Sequence, residues 1–109
     1  MTKNTLQETY DFSDAWFLTA LIVRHTWADI EEIITIGDGL NHAIFTQNEI
    51  NQALQRLIPE GYIEVADDKY RATEKAQELS NCVVYKSAGL FTLVEVILKR
   101  LNTKHNKQS

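Results

Sequence analysis

The sequence predicts a mainly α-helical domain with one small β-hairpin, an α+β fold. Three observations carry this. Apolar residues recur at three- and four-residue steps in four separate stretches, the period of a helix with one buried face. Between Gly61 and Thr73 the chain instead alternates in character on either side of the polar run Ala66-Asp67-Asp68-Lys69, the pattern of two short strands and a turn. Capping residues and a single proline, Pro59, punctuate the stretches at the right places. With 109 residues, the expectation is one domain over 1–109 with enough chain to bury a core.

The first helix is expected to be capped by Ser13 or Asp14 and to run to about His25. Its residues Ala15, Trp16, Phe17, Leu18, Ala20, Leu21, Ile22 and Val23 are apolar around much of the circumference, which places it at the centre. Thr26 and Asp29 read as a shortened capping box for a second helix with Ile30, Ile33 and Ile34 on its inner side. Gly37 and Gly39 either end that helix or allow a close crossing. Thr46 and Glu49 form a full capping box for a third helix, and Phe45 and Ile50 have the spacing of a hydrophobic staple. Ile50, Ala53, Leu54, Leu57 and Ile58 share its inward face, and Pro59 stops it.

Gly61 leads into the first strand, where Ile63 and Val65 lie on one face because strand side chains alternate. Thr73 is the expected N-cap of a helix over 74–86. Ser87-Ala88-Gly89 interrupts, and a final helix follows over about 88–102 with an apolar stripe of Leu90, Phe91, Val94, Ile97, Leu98 and Leu101. Residues 103–109 read as a frayed polar tail.

The run L-I-P-E-G-Y-I-E, a short acidic turn, then K-Y-R-A-T-E-K-A resembles the winged helix-turn-helix superfamily of bacterial transcription regulators. The likeness covers roughly Asp14 to Leu79. It implies a winged helix-turn-helix core over about 13–80 with an additional C-terminal helix. It further implies binding to double-stranded DNA, with the helix at 46–58 as the reading helix and the hairpin at 62–72 as the wing. Members of that superfamily often place a short strand before the reading helix, here Asn41-His42-Ala43-Ile44, to pair with the wing. Their terminal helices often form dimers, so a homodimer is the implied assembly.

Asn and Gln can bond adenine bidentately in the major groove. The expected base contacts are therefore Asn48, Asn51, Gln52 and Gln55, with Gln47 beside them. Arg56, Lys69 and Arg71 are the expected phosphate contacts. The plainer reading is a solvated helix face. Charge weighs against DNA. The chain has net charge −4, and the reading helix and hairpin set Glu49, Glu60, Glu64, Asp67 and Asp68 against only three cations. Affinity for DNA draws heavily on Lys and Arg at phosphates. The alternative is a non-catalytic protein-interaction or dimerisation module whose acidic surface suits a basic partner.

Leu90, Val94, Ile97 and Leu101 alternate four- and three-residue steps, as in a coiled-coil seam. They form either a dimer seam or a face packed on the first helix. Tyr10, Trp16, Phe17 and Trp27 could line a ligand pocket, although aromatics at helical spacing more commonly fill cores.

No Gly-rich phosphate loop, nucleophile elbow or metal motif is present, so no enzyme activity, cofactor or metal is expected. His25, Asp29 and Glu32 are close in sequence, but a helix boundary separates them. The single cysteine, Cys82, has no partner for an internal disulfide, and Met1–Phe12 lacks the apolar segment of a signal peptide. The nearly apolar run Trp16–Val23 is too short to span a bilayer. The expected location is cytoplasmic.

Overall fold

The structure, a computed structural model, describes residues 9–81 and 90–107, without the side chains of 90, 91 and 104–107. It is mainly helical with one two-stranded antiparallel sheet. The order is α1 (Phe12–Arg24), α2 (Ile30–Asn41), α3 (Gln47–Leu57), β1 (Ile63–Ala66), β2 (Lys69–Ala72), α4 (Glu74–Gln77), a 3₁₀ turn (Glu78–Ser80) and α5 (Leu90–Lys107).

α1 is the central element, packed on α2, α3, β2 and α5. Every residue from Asp14 to Ile22 is buried, as expected of a helix apolar on most sides. It begins earlier than its sequence suggests. Asp11, not Ser13 or Asp14, is the N-cap, and the Asp14 carboxylate accepts from the Asp11 backbone N–H at 2.8 Å. Asp14 thus fills the third helical position of a capping box.

α2, by contrast, starts later than expected. Asp29 is its N-cap and Glu32 closes the box, rather than Thr26 and Asp29. The freed segment serves the sheet. Ala28 and Tyr70 exchange backbone hydrogen bonds, Ala28 N–H to Tyr70 O at 2.9 Å and Tyr70 N–H to Ala28 O at 2.8 Å. The short pairing with the hairpin therefore comes from the α1–α2 connection, not from the expected 41–44 segment, which leads directly into the Thr46 cap.

Gly37 does not end α2. It is the site of a close crossing: Trp16 donates its indole N–H to Gly37 O at 2.9 Å, and Phe45 lies where a Cβ would stand. Trp16, Phe17 and Phe45 form an aromatic cluster, with Trp16 and Phe45 stacked at 3.8 Å between centroids.

The capping box of α3 is formed as its sequence requires, with Glu49 N–H on Thr46 Oγ1 at 3.1 Å and Thr46 N–H on Glu49 Oε1 at 2.9 Å. Ile50, Ala53 and Leu57 are buried, Leu54 is half-buried and Ile58 is exposed. The inward stripe is narrower than expected, because Ile58 has rotated past the core.

The hairpin pairs Ile63 with Ala72, Glu64 with Arg71, Val65 with Tyr70 and Ala66 with Lys69. Its two-residue turn holds Asp67 and Asp68 at φ 51° and 63°. Positive φ at both positions is what a type I′ turn demands, and Asp tolerates it better than most side chains.

Of the helix expected over 74–86, the described part is α-helical over Glu74–Gln77, a single turn, and 82–86 lie outside the described residues. The chain tightens to 3₁₀ at Glu78, and Asn81 is extended (φ −63°, ψ 138°). Arg100 caps this end, donating to Leu79 O at 2.9 Å and Asn81 O at 2.7 Å. The expectation for Cys82 and the Ser87-Ala88-Gly89 break lies outside the described residues. α5 runs on to Lys107, beyond the expected limit at 102. Asn102 clasps the other end of the chain, accepting from Tyr10 N–H at 2.8 Å and donating to Tyr10 O at 3.1 Å. Among the described residues, no helix is long and apolar enough to cross a membrane.

Candidate nucleic-acid interface

α3 turns one face to the core and leaves the other in solvent. Gln47, Asn48, Asn51 and Gln55 are exposed on that outer face. Gln47 donates to Asn51 Oδ1 at 3.1 Å, an i,i+4 side-chain pair along the helix. These four amides form an exposed polar row, with Gln47 and Asn51 bonded to each other. They can donate and accept at once, which a base edge requires.

Gln52 does not belong to that row. It faces the start of α1 and donates to Asp11 Oδ2 at 3.1 Å and Asp14 Oδ1 at 3.2 Å. Arg56, one turn on, shares this side. It donates to Asp14 Oδ2 at 2.8 Å and to Thr9 O at 3.1 Å, with Asp11 Oδ2 at 3.6 Å. Asp14 is fully buried, and a buried carboxylate needs such donors. The backbone N–H of Asp11, the Gln52 amide and the Arg56 guanidinium supply them. Gln52 and Arg56 therefore bind α3 to α1, apart from the exposed amides of the outer face.

Arg71 is also committed. Its Nε donates to Glu64 Oε1 at 3.0 Å, across the hairpin, and its guanidinium lies 4.6 Å from the centroid of Trp27. Lys69 is exposed at the hairpin tip beside Asp67 and Asp68. Lys75 donates to Glu60 O at 2.6 Å and lies over the Tyr62 ring. Among the described cationic side chains, only Lys69 and Lys99 have no hydrogen bond, ion pair or ring partner. Of the eight residues expected at DNA, Gln47, Asn48, Asn51, Gln55 and Lys69 are exposed on the surface and tied to no other element among the described residues. The signal missed in the sequence was Asp11-x-x-Asp14, which reads as a weak cap and acts as an acceptor for Arg56.

The expected dimer seam is not on the surface. Val94, Ile97 and Leu101 are fully buried against the chain's own core, where α5 packs on α1. The Leu90 side chain lies outside the described residues. The periodicity correctly marked a buried face, but the first helix of the same chain covers it. The aromatic pocket is likewise filled: Tyr10, Trp16 and Phe17 belong to the core, and Trp27 lies half-exposed under Arg71. Asp29 and Glu32 cap α2, and Glu32 also pairs with Arg24 at 3.0 Å, so both carboxylates have structural employment. An open hollow of about 450 Å³ adjoins them, lined by Arg24, Asp29, Glu31, Glu32, Thr35 and Ile36.

Comparison of the chain with protein-family models, with curated proteins and with solved structures found no match.

Proposed function

We propose that the chain is a winged helix-turn-helix domain that binds double-stranded DNA with the outer face of α3. The observation that carries this reading is the exposed amide row of Gln47, Asn48, Asn51 and Gln55 on a helix whose opposite face is anchored in the core. The order of elements supports it: helix, a one-residue bridge to the hairpin, helix, helix, then hairpin. A reading helix must be rigid and protrude its polar side. The Asp14–Arg56 clasp and the buried Ile50, Ala53 and Leu57 hold α3 in that position.

The same geometry sets how such binding works. With Arg56 and Arg71 paired internally, few cations remain for phosphates, so the sequence-independent part of the affinity is small. Recognition then rests on base edges. Selection from a randomised duplex pool tests this, followed by anisotropy titration of the enriched site. The expected result is one enriched site with a shallow salt dependence. Its affinity should fall about tenfold or more in Asn51→Ala/Gln55→Ala, in line with about 1–3 kcal/mol per bidentate base contact. Failure of any sequence to enrich at low salt sinks the reading.

A second reading is favoured by a specific observation, the pairing of Arg24, Arg56 and Arg71 with the chain's own carboxylates while the hairpin tip carries Asp67 and Asp68. On that reading the scaffold is a protein-interaction module without DNA affinity. The two differ in the selection experiment, where a module of this kind enriches nothing.

A further inference from the structure

Within the exposed row of α3, one pair of side chains is already joined. Gln47 Nε2 donates to Asn51 Oδ1 at 3.1 Å, across one turn of the helix. Both residues are exposed. Asn48 and Gln55, the other amides of the row, make no side-chain hydrogen bond among the described residues. The bond has a direction. Because Gln47 is the donor, the Asn51 carboxamide is held with its oxygen toward Gln47 and its nitrogen on the other branch of the planar group.

This leaves Asn51 able to read a base. A carboxamide oxygen has two lone pairs, of which Gln47 takes one, and both Nδ2 hydrogens remain. In the major groove adenine presents a donor at N6 and an acceptor at N7, whereas guanine presents acceptors at both O6 and N7. An oxygen that accepts beside a nitrogen that donates matches adenine at both atoms and guanine at only one. An exposed carboxamide with no partner turns over freely in water, and ordering it costs free energy at the moment of binding. Gln47 removes part of that cost beforehand. The usual partners of guanine are cations, and the row has none, since Arg56 bonds Asp14 on the side of α3 that faces α1.

We propose that Gln47 is a positioning residue that fixes the Asn51 carboxamide for adenine, so that the DNA bound by α3 carries an A·T pair where Asn51 meets it. The assignment rests on DNA binding by α3, and it separates the residue that reads the base from the one that orients it.

The test uses the full chain and the duplex enriched from the randomised pool. Anisotropy titrations of Asn51→Ala against single base-pair replacements locate the position whose preference that variant loses. The parent, Gln47→Glu and Gln47→Lys are then titrated on duplexes carrying adenine, guanine or 7-deazaadenine there, the last lacking the N7 acceptor. A Glu carboxylate can only accept, so it takes its hydrogen bond from Asn51 Nδ2 and turns the carboxamide over. Lys can only donate, so it keeps Oδ1 in place. The parent should prefer adenine to guanine and to 7-deazaadenine by about tenfold each. Both preferences should largely vanish in Gln47→Glu and persist in Gln47→Lys. The charge each variant adds acts on all three duplexes alike, so the ratios report the base contact. A pair that serves only helix stability gives the same ratios in all three proteins, and that result overturns the proposal while DNA binding stands. So does a preference for any pair other than A·T at the located position, or an Asn51→Ala variant that loses no preference. Failure of every sequence to enrich overturns the DNA reading and this assignment together.

Discussion

Two glycines in one helix should respond in opposite ways to the same substitution. Gly37 and Gly39 both lie within α2, and neither has positive φ. Alanine at an unobstructed helix interior is worth about 1 kcal/mol over glycine, because glycine loses more backbone entropy on folding. A Cβ at Gly39 meets nothing within 4 Å, so Gly39→Ala should gain that amount. A Cβ at Gly37 would stand 2.4 Å from Phe45 Cε2 and 3.0 Å from Cζ. Phe45 cannot swing aside cheaply, being buried and stacked on Trp16 with its edge toward Phe17. Forcing a methyl into a packed core costs about 1–3 kcal/mol, and disturbing an aromatic pair about 0.5–1.5 kcal/mol more. Set against the helix gain, Gly37→Ala should lose about 1–3 kcal/mol. The assay is urea unfolding of the two single variants beside the parent, followed by far-UV circular dichroism, with equal slopes required for the comparison. Both variants stabilised by similar amounts would refute the close crossing of α2 over Phe45.

The remaining predictions concern the clasp, the tyrosines and α5. Arg56→Ala should destabilise by about 2–4 kcal/mol, since it leaves the buried Asp14 with fewer donors; a double-mutant cycle with Asp14→Asn should return a coupling of at least about 1 kcal/mol, and an additive cycle would deny the pair. Burial, and secondarily the nearby Glu60 charge, raises the hydroxyl pKa of Tyr10 and Tyr62 above that of a free tyrosine. The neutral form is thus favoured in the folded state, so this contribution to stability is complete below the unfolded value of about 10 and declines as pH rises above it; ultraviolet titration should show these two phenols ionising late, and early ionisation would contradict their burial. Ile97→Ala should cost about 2–5 kcal/mol with a melting midpoint independent of protein concentration, because the side chain fills the chain's own core. A midpoint that climbs with concentration would restore the dimer seam.

What was legible in the sequence was local. The third helix announced itself through Thr46, Glu49, the Phe45–Ile50 spacing and Pro59, all within one stretch, and the hairpin through alternation around Ala66–Lys69. What was illegible depended on distant partners. Asp14 looks like a cap until Arg56, far along the chain, is brought against it. Ala28 pairs through a single residue, too short to leave a pattern, so its strand was sought before α3 instead of before α2. The stripe Val94, Ile97 and Leu101 told which side of α5 is apolar. It could not tell whether α1 or a second chain lies against it, since either would demand the same spacing.

The clasp between α3 and α1 bears directly on how α3 would act in the proposed DNA binding. Gln52 and Arg56 lie so close in sequence to Asn48 and Gln55 that the sequence alone suggests a single helical surface. Packing divides them. One side of α3 is spent on Asp11 and Asp14, while the other keeps four amides exposed. A DNA reader built this way fixes its helix with the cations another would give to phosphates. It then trades background affinity for rigidity. The salt dependence measures that trade. A slope that reports only one or two phosphate contacts fits Lys69 acting with little help. A slope that adds two further contacts at this face would require Arg56 and Arg71 to abandon their carboxylates. That would leave Asp14 buried without its strongest partner, at a cost the loss of stability in Arg56→Ala measures independently.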